Sequence, residues 1–238
     1  MTEAETTRPG VVFLLPGLGA NADLFSDDPW PFPTRTVEYG APRSQGMGFS
    51  GYALQLIAEN DIRAGDSLIG VSLGGMLALE IAGHLPIRKL TLVSSCTDSR
   101  QIQPWIRHLH PFSRLIPWRL IQRMPFPSRL LGESRRRGLA MFRVADASFL
   151  PWACSHAAVW RCPAGHSDVI QIHGDRDPVF PISRQVVHHT VQGGDHLMVL
   201  SRWREIQPLL IARHRPEDAG EGSRTPALPA RRLSPCHG

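Results

Sequence analysis

The feature that most constrains the fold of this chain is the pentapeptide Gly-Val-Ser-Leu-Gly at residues 70–74. It follows a short apolar run at residues 66–71, which is typical of a buried strand. It precedes residues 75–86, which are rich in Ala, Leu and Met and end in Leu-Pro, as a helix would. A serine in G-x-S-x-G at such a boundary can occupy a sharp strand-to-helix turn that exposes its hydroxyl. Both glycines suit that turn, because a Cβ at either position would clash.

Alone, the pentapeptide also fits a Gly-rich turn whose serine caps a helix. Two later residues favour the first interpretation. Asp177 lies in a Gly-Asp-Arg-Asp-Pro turn after the strand-like residues 168–173, and His196 lies in a Gly-Gly-Asp-His loop after the strand-like residues 186–191. Both are loop residues that follow strands, where open α/β sheets gather their ligand chemistry. Their order along the chain, serine, acid and then histidine, is the order expected with a nucleophile elbow.

These three residue types together predict nucleophilic catalysis. A serine hydroxyl is a poor nucleophile until a base takes its proton, and a histidine near neutral pKa is such a base. A carboxylate then fixes the histidine tautomer and stabilises the imidazolium. Taken singly, Asp177 is a turn former and His196 a surface residue. The order and the placement after strands favour a site formed by Ser72, Asp177 and His196.

With the apolar run at residues 11–15 and the Pro-Gly-Leu-Gly-Ala loop that follows it, these motifs resemble the α/β-hydrolase superfamily over residues 11–213. The resemblance implies an α/β-hydrolase fold with about six mostly parallel strands flanked by helices and with a helical lid insertion. It implies that the backbone N–H groups of Leu18 and Leu73 form the oxyanion hole. The family's acid turn favours Asp177 over Asp175, and Asp98 occupies the alternative acid position that some members use.

Three features depart from the common family pattern. Pro16 stands where many members have histidine, and the link between Pro181 and Val186 is short. Only ten residues precede the first strand, so we expect the usual two opening strands to be missing. None of these departures removes a catalytic group. The serine at residue 72 argues against the dehalogenase and epoxide-hydrolase branches, which place aspartate there.

The implied function is a serine hydrolase that cleaves a carboxylic ester or thioester through an acyl-enzyme on Ser72, with no metal or organic cofactor. The same three side chains also serve lactonase, amidase, C–C hydrolase and acyltransferase chemistry, so these alternatives stay open. A non-catalytic binding protein with this fold is a further alternative.

The 238 residues suit one core, with a hydrolase domain at 1–214 and a lid insertion at 99–166. Residues 215–238 are rich in Pro, Gly, Ser and charge, which predicts a disordered tail. Further predictions are a strand at 36–39, a helix at 51–60, a helical region at 133–160 interrupted at Pro151, and a closing helix at 201–214 kinked or restarted at Pro208.

The lid insertion is the basic part of the chain. It has eleven arginines against two acidic residues, a formal charge of +9, so the remainder of this +5 chain carries −4. Such a surface suits an anionic substrate such as an acyl-CoA, or an anionic membrane surface. The alternative is that these arginines only solvate the outer faces of amphipathic helices. No motif for nucleic-acid binding accompanies the charge.

No stretch of the sequence approaches the length of an apolar membrane span, and the first residues lack the features of a signal peptide. We therefore expect a cytoplasmic protein without integral membrane association. The four cysteines are scattered and do not form a disulfide framework. The spacing of Cys154, His156, Cys162 and His166 is unusual for zinc, so no metal site is expected.

Overall fold

A six-stranded parallel sheet forms the centre of the protein, in the spatial order β2-β1-β3-β4-β5-β6. The computed structural model describes residues 10–44, 46–108, 112–124, 132–163 and 169–215. The strands are β1 (Val12–Leu15), β2 (Thr34–Thr36), β3 (Ser67–Val71), β4 (Lys89–Val93), β5 (Val169–Gly174) and β6 (His189–Val191). Because all five pairings are parallel, the loops that follow the strands converge at one edge of the sheet.

Helices cover both faces of the sheet. They are α1 (Phe49–Asn60), α2 (Leu73–His84), α3 (Pro104–His108), α4 (Trp118–Arg123), α5 (Glu133–Val144), α6 (Phe149–Ala157), α7 (Met198–Ser201) and α8 (Trp203–His214). Successive residues of β1 alternate between two cores: Phe13 packs with α1 and α2, whereas Val12 packs with α7 and α8. Every residue of β1, β3 and β5 is buried, as a parallel sheet covered on both faces requires.

The predicted α/β fold with six parallel strands is confirmed, and several element boundaries differ from the predicted ones. α1 begins at Phe49 instead of residue 51, and α2 spans Leu73–His84 instead of 75–86. The edge strand β2 spans Thr34–Thr36 instead of 36–39, because its ladder with β1 ends at Thr36. The insertion breaks between Val144 and Phe149 instead of at Pro151, which sits in the first turn of α6, where a backbone N–H has no helical acceptor. The closing helix restarts at Trp203 and runs through Pro208.

The insertion is joined to the body by buried aromatic residues in α6 and directly after it. The indole of Trp152 donates a 2.7 Å hydrogen bond to the Met47 carbonyl and packs 4.6 Å from the ring of Tyr52. The Trp160 indole donates to the Glu80 carboxylate at 2.6 Å. Trp152 and Trp160 therefore belong to the hydrophobic core.

Within the described residues, no helix has the length and apolar character needed to cross a membrane. Residues 1–9, His166 and all of the predicted tail except Arg215 lie outside the described residues.

Candidate active site

Ser72 occupies a strained turn between β3 and α2. It is the single residue between Val71 and Leu73, with φ 52° and ψ −118°. A non-glycine residue in this region of backbone space costs about 1–3 kcal/mol. Three hydrogen bonds hold its backbone there. The Ser72 N–H donates to the Val93 carbonyl at 3.0 Å, and the Ser72 carbonyl accepts from the Ser95 hydroxyl at 2.6 Å and from the Gly75 N–H at 3.0 Å. The turn directs the Ser72 hydroxyl toward the loops at the carboxyl edge of the sheet.

The glycines of the pentapeptide allow α2 to approach the sheet closely. A Cβ added at Gly74 would collide with the backbone carbonyl of Leu15 in β1, and one at Gly70 would lie 2.5 Å from the Gly74 carbonyl oxygen. Backbone atoms cannot yield as a flexible side chain can, so both positions exclude larger residues. The close packing that the sequence suggested is present in the structure.

The structure brings Ser72, His196 and Asp177 together, although 124 residues separate the first two. The Ser72 Oγ lies 3.0 Å from His196 Nε2, and His196 Nδ1 lies 2.9 Å from Asp177 Oδ2. An ionised carboxylate only accepts hydrogen bonds, so the proton of the neutral imidazole resides on Nδ1. Nε2 is then the acceptor for the serine hydroxyl, which is the arrangement that a general base needs.

Asp177 is positioned to stay ionised. Its side chain is fully buried, and Oδ1 accepts the backbone N–H groups of Val179 at 2.8 Å and Phe180 at 2.9 Å. Burial alone raises the pKa of Asp177. The hydrogen bond and charge of His196, together with the two amides, outweigh burial and hold this pKa below its ordinary value.

His173 is a site residue that the sequence analysis did not single out. It is fully buried in β5, with Nε2 2.7 Å from the Phe180 carbonyl oxygen and 3.6 Å from Asp177 Oδ2. Burial lowers the pKa of His173, so the ring is neutral and donates from Nε2 to that carbonyl. The ring thereby fixes the turn that carries Asp177. The signal in the sequence is a histidine inside an apolar strand, four residues before the acid.

The two rival aspartates contact other partners. Asp98 is buried and forms salt bridges with Arg100 at 3.0 Å and Arg161 at 3.5 Å. Asp175 accepts the backbone N–H of Gly193 at 2.6 Å, which joins the loops after β5 and β6. Among the described residues, Asp177 is the carboxylate that contacts His196.

A cavity of about 650 Å³ opens beside Ser72 and His196. Leu18 and Leu73 both line it. Leu73 is the first residue of α2, so its N–H has no acceptor within the helix. The loop before Leu18 runs alongside the serine. A Cβ added at Gly17 would lie only 3.4 Å from Ser72 Cβ. The rest of the lining is largely apolar, including Met76, Ile102, Ile106, Ile116, Trp118, Leu139, Phe142, Val179 and Leu200.

Arginines of the insertion fall into two groups near this cavity. Arg136 pairs with Glu133, and Arg137 Nη1 lies 2.7 Å from Asp27 Oδ2, which joins α5 to the loop before β2. Arg107 and Arg135 line the cavity. Some arginines of the insertion therefore form salt bridges within the protein, and others line the cavity.

The residues weighed as zinc ligands have separate surroundings in the structure. Cys154 lines the cavity, and His156 Nδ1 lies 2.9 Å from the Trp152 carbonyl oxygen. Among the described residues, no three histidine, cysteine or acidic side chains form a group suited to a metal ion.

A family model described as the alpha/beta hydrolase family matches residues 5–207. A direct sequence search against curated proteins gives no match. An esterase from Thermogutta terrifontis is similar in structure, with 15% identity and a TM-score of 0.60 over 86% of this chain and 89% of that one.

Two further structures are similar over 86% of this chain. A structure from work on carboxylesterases of Nitrososphaera gargenis has 15% identity to this chain and a TM-score of 0.58, with 89% of that chain covered. A meta-cleavage product hydrolase from Pseudomonas fluorescens gives 12% identity, a TM-score of 0.57 and 90% coverage. At these identities the likeness concerns the fold.

Proposed function

The chain belongs to the alpha/beta hydrolase family, and from this premise we propose that it is a serine hydrolase of carboxylic esters or thioesters. The observation that carries the proposal is the unbroken hydrogen-bonded series from Ser72 through His196 to Asp177 beside an apolar cavity. An apolar cavity with few polar groups suits an acyl chain. Esterases among the structures with this fold support the same choice.

In the proposed mechanism, Ser72 Oγ attacks the carbonyl carbon while His196 Nε2 takes its proton. Asp177 keeps the His196 ring oriented and stabilises its charged form. The backbone N–H groups of Leu18 and Leu73 bind the oxyanion of the tetrahedral intermediate, each contributing about 3 kcal/mol. His196 then protonates the leaving alcohol or thiol, and water releases the acyl group by the same steps. No metal or organic cofactor enters this scheme.

A fluorophosphonate probe tests the proposal directly, because it labels a serine only where a base activates that serine. We expect labelling of the wild type and none of Ser72→Ala. Ser50→Ala is the matched control, since the Ser50 hydroxyl also lies 2.9 Å from a histidine, His84, but on the exposed surface. The control should label as the wild type does.

If the folded wild type does not label, the binding-protein alternative takes the place of this proposal. If it labels, a panel of esters, thioesters, lactones, amides and C–C substrates separates hydrolytic classes. Product formation that depends on an added alcohol or amine identifies acyl transfer.

A second candidate, cleavage of an anionic thioester such as an acyl-CoA, is favoured by the two arginines that line the cavity, Arg107 and Arg135. A guanidinium binds phosphate oxygens through paired N–H donors. Arg135→Gln should raise KM about tenfold for an acyl-CoA, the loss expected for one charged contact, and leave a neutral thioester of the same acyl chain unchanged. Arg136→Gln is the control on the neighbouring residue. Equal changes for both thioesters would exclude a role for Arg135 in binding the anion.

A further inference from the structure

Residues 112–124, which we call the 112–124 segment, present large apolar side chains to solvent. Leu115 is 77% exposed and Leu120 is 62% exposed, and Phe112 and Met124 are exposed as well. Four of the eleven exposed large hydrophobic residues of the described chain thus fall within thirteen positions. Single exposed apolar residues need no explanation, but a concentration of them marks an interaction surface.

The same segment is purely basic. Arg114, Arg119 and Arg123 are all exposed, and the segment contains no acidic residue. None of the three arginines makes a salt bridge with another described residue. On α4, Arg119 and Arg123 form one stripe at helical spacing, Leu120 lies on the adjacent stripe, and Met124 follows directly after the helix. Cationic and apolar side chains therefore alternate on one outer surface.

Hydrogen bonds hold the inner side of the segment against the rest of the insertion. The Ser113 hydroxyl donates to the Pro151 carbonyl at 3.3 Å, and the Gln122 amide donates to the carbonyls of Phe142 at 2.7 Å and Ala145 at 2.9 Å. Ser113, Ile116 and Trp118 line the cavity. The 112–124 segment is thus a wall with the cavity on one side and the cationic, apolar surface on the other.

We propose that the outer surface of the 112–124 segment docks onto an anionic lipid surface. Arginines beside exposed leucine and phenylalanine are the composition that binds at the boundary between anionic headgroups and acyl chains. A second copy of the same surface would bring three more arginines against the first three, so charge disfavours self-association through it. Docking goes beyond ester cleavage and is independent of Ser72, but it would place the cavity wall next to acyl-bearing lipids.

Vesicle sedimentation tests the proposal with the inactive Ser72→Ala protein as background. We expect binding to vesicles of phosphatidylglycerol and phosphatidylcholine, weakening as salt rises, and at least tenfold weaker binding to phosphatidylcholine alone. Replacing Leu115 and Leu120 by Ser, or Arg114, Arg119 and Arg123 by Gln, should weaken binding to the anionic vesicles at least tenfold.

Matched controls remove the same groups from the body of the protein. One replaces the exposed Leu54 and Val186 by Ser, and the other replaces the exposed Arg35, Arg184 and Arg204 by Gln, with the same change in net charge. Both should bind as the Ser72→Ala background does. The variants of the 112–124 segment, in the active enzyme, should keep their rate on a short water-soluble ester, which separates failure of docking from failure of the proposed activity.

Two results would overturn the proposal. One is equal vesicle binding, or none, in the background protein and in the variants of the 112–124 segment. The other is a dimer in light scattering without vesicles that these substitutions dissolve, which would assign the surface to a second copy of the chain.

Discussion

At the scale of single residues, the environment of each titratable group decides its role. Asp177 accepts two backbone amides and a histidine, whereas Asp98 is bound by two arginines. Both are buried carboxylates whose pKa lies below the ordinary value, because hydrogen bonds and positive charge outweigh burial. Of these two carboxylates, only Asp177 contacts an imidazole among the described residues. Two carboxylates that are both ionised can therefore have different roles.

We expect Asp177→Asn to lower kcat about ten-thousandfold while the protein remains folded. The asparagine amide donates to His196 Nδ1, which moves the imidazole proton to Nε2 and leaves Ser72 without a base. Asp98→Asn, the matched control, should change kcat by less than about tenfold, because its contacts lie outside the proposed site. Steady-state kinetics with circular dichroism measures both. A larger loss in Asp98→Asn would assign the acid role to that residue.

His214 makes the fold sensitive to acid. It is buried, and its Nε2 lies 2.9 Å from the Thr91 hydroxyl. Burial, and then the charges of Arg213, Lys89 and Arg88, lower the pKa of His214 to about 3. The unfolded chain therefore binds a proton between about pH 6.5 and pH 3 that the folded chain does not.

The contribution of His214 to the free energy of unfolding should accordingly be fully present above about pH 6.5. It should fall by about 1.4 kcal/mol for each pH unit below that. His173, whose pKa is also lowered, acts in the same direction. His214→Gln keeps a polar group facing Thr91 and should show a shallower decline in urea unfolding between pH 6 and pH 4. Identical slopes in the two proteins would contradict this assignment.

The residues of the proposed site could be predicted because their order and their loops are local features of the sequence. Ser72 follows one apolar run, and Asp177 and His196 follow two others, so parallel pairing alone gathers them at one edge. His173 could not be found in this way. Its partner is the backbone carbonyl of Phe180, and no side-chain pattern records a contact to backbone.

At the scale of elements, apolar runs predicted the strands well, and proline predicted helix ends unevenly. α2 ends at His84, two residues before Pro86, as the Leu-Pro pair indicated. Pro151 and Pro208 both lie inside helices of the structure. Pro151 is tolerated in the first turn of α6, and α8 continues past Pro208, held by the buried Trp203 and Ile206 on its inner face. Tertiary packing therefore decides where these helices end, and that information is not local.

We expect Gly74→Ala to destabilise the fold by about 3 kcal/mol or more, because its Cβ would meet the β1 backbone, which cannot shift without disturbing the sheet. Gly138→Ala is the matched control in α5. The Cβ there meets only Leu200 Cδ1, at an ordinary 3.6 Å. That variant should gain about 0.5–1 kcal/mol from its better helix propensity. Urea denaturation of both proteins measures the difference, and a neutral Gly74→Ala would refute the close approach of α2 to the sheet.

At the scale of the whole molecule, the sheet and the insertion divide the work of the proposed site. The sheet edge supplies the reactive groups, and the insertion supplies about half of the apolar residues that line the cavity. Substrate preference should therefore depend on the insertion as well as on the loops that follow the strands.

For p-nitrophenyl esters, kcat/KM should rise about fourfold with each added methylene until the cavity is filled, because each buried methylene is worth about 0.8 kcal/mol. A series from acetate to decanoate measures this, with the Ser72→Ala protein as the blank. A flat series would mean that the acyl chain does not enter the cavity.

The backbone at residue 72 sets stability against activity within a single position. A φ of 52° with ψ near −118° is a conformation that glycine adopts without strain and that every other residue resists. Ser72→Gly should therefore be more resistant to unfolding than Ser72→Ala, which keeps the strain and loses the hydroxyl. The most stable residue for this turn, glycine, has no hydroxyl and cannot react. Serine at residue 72 therefore serves the proposed reaction at a cost in folding stability.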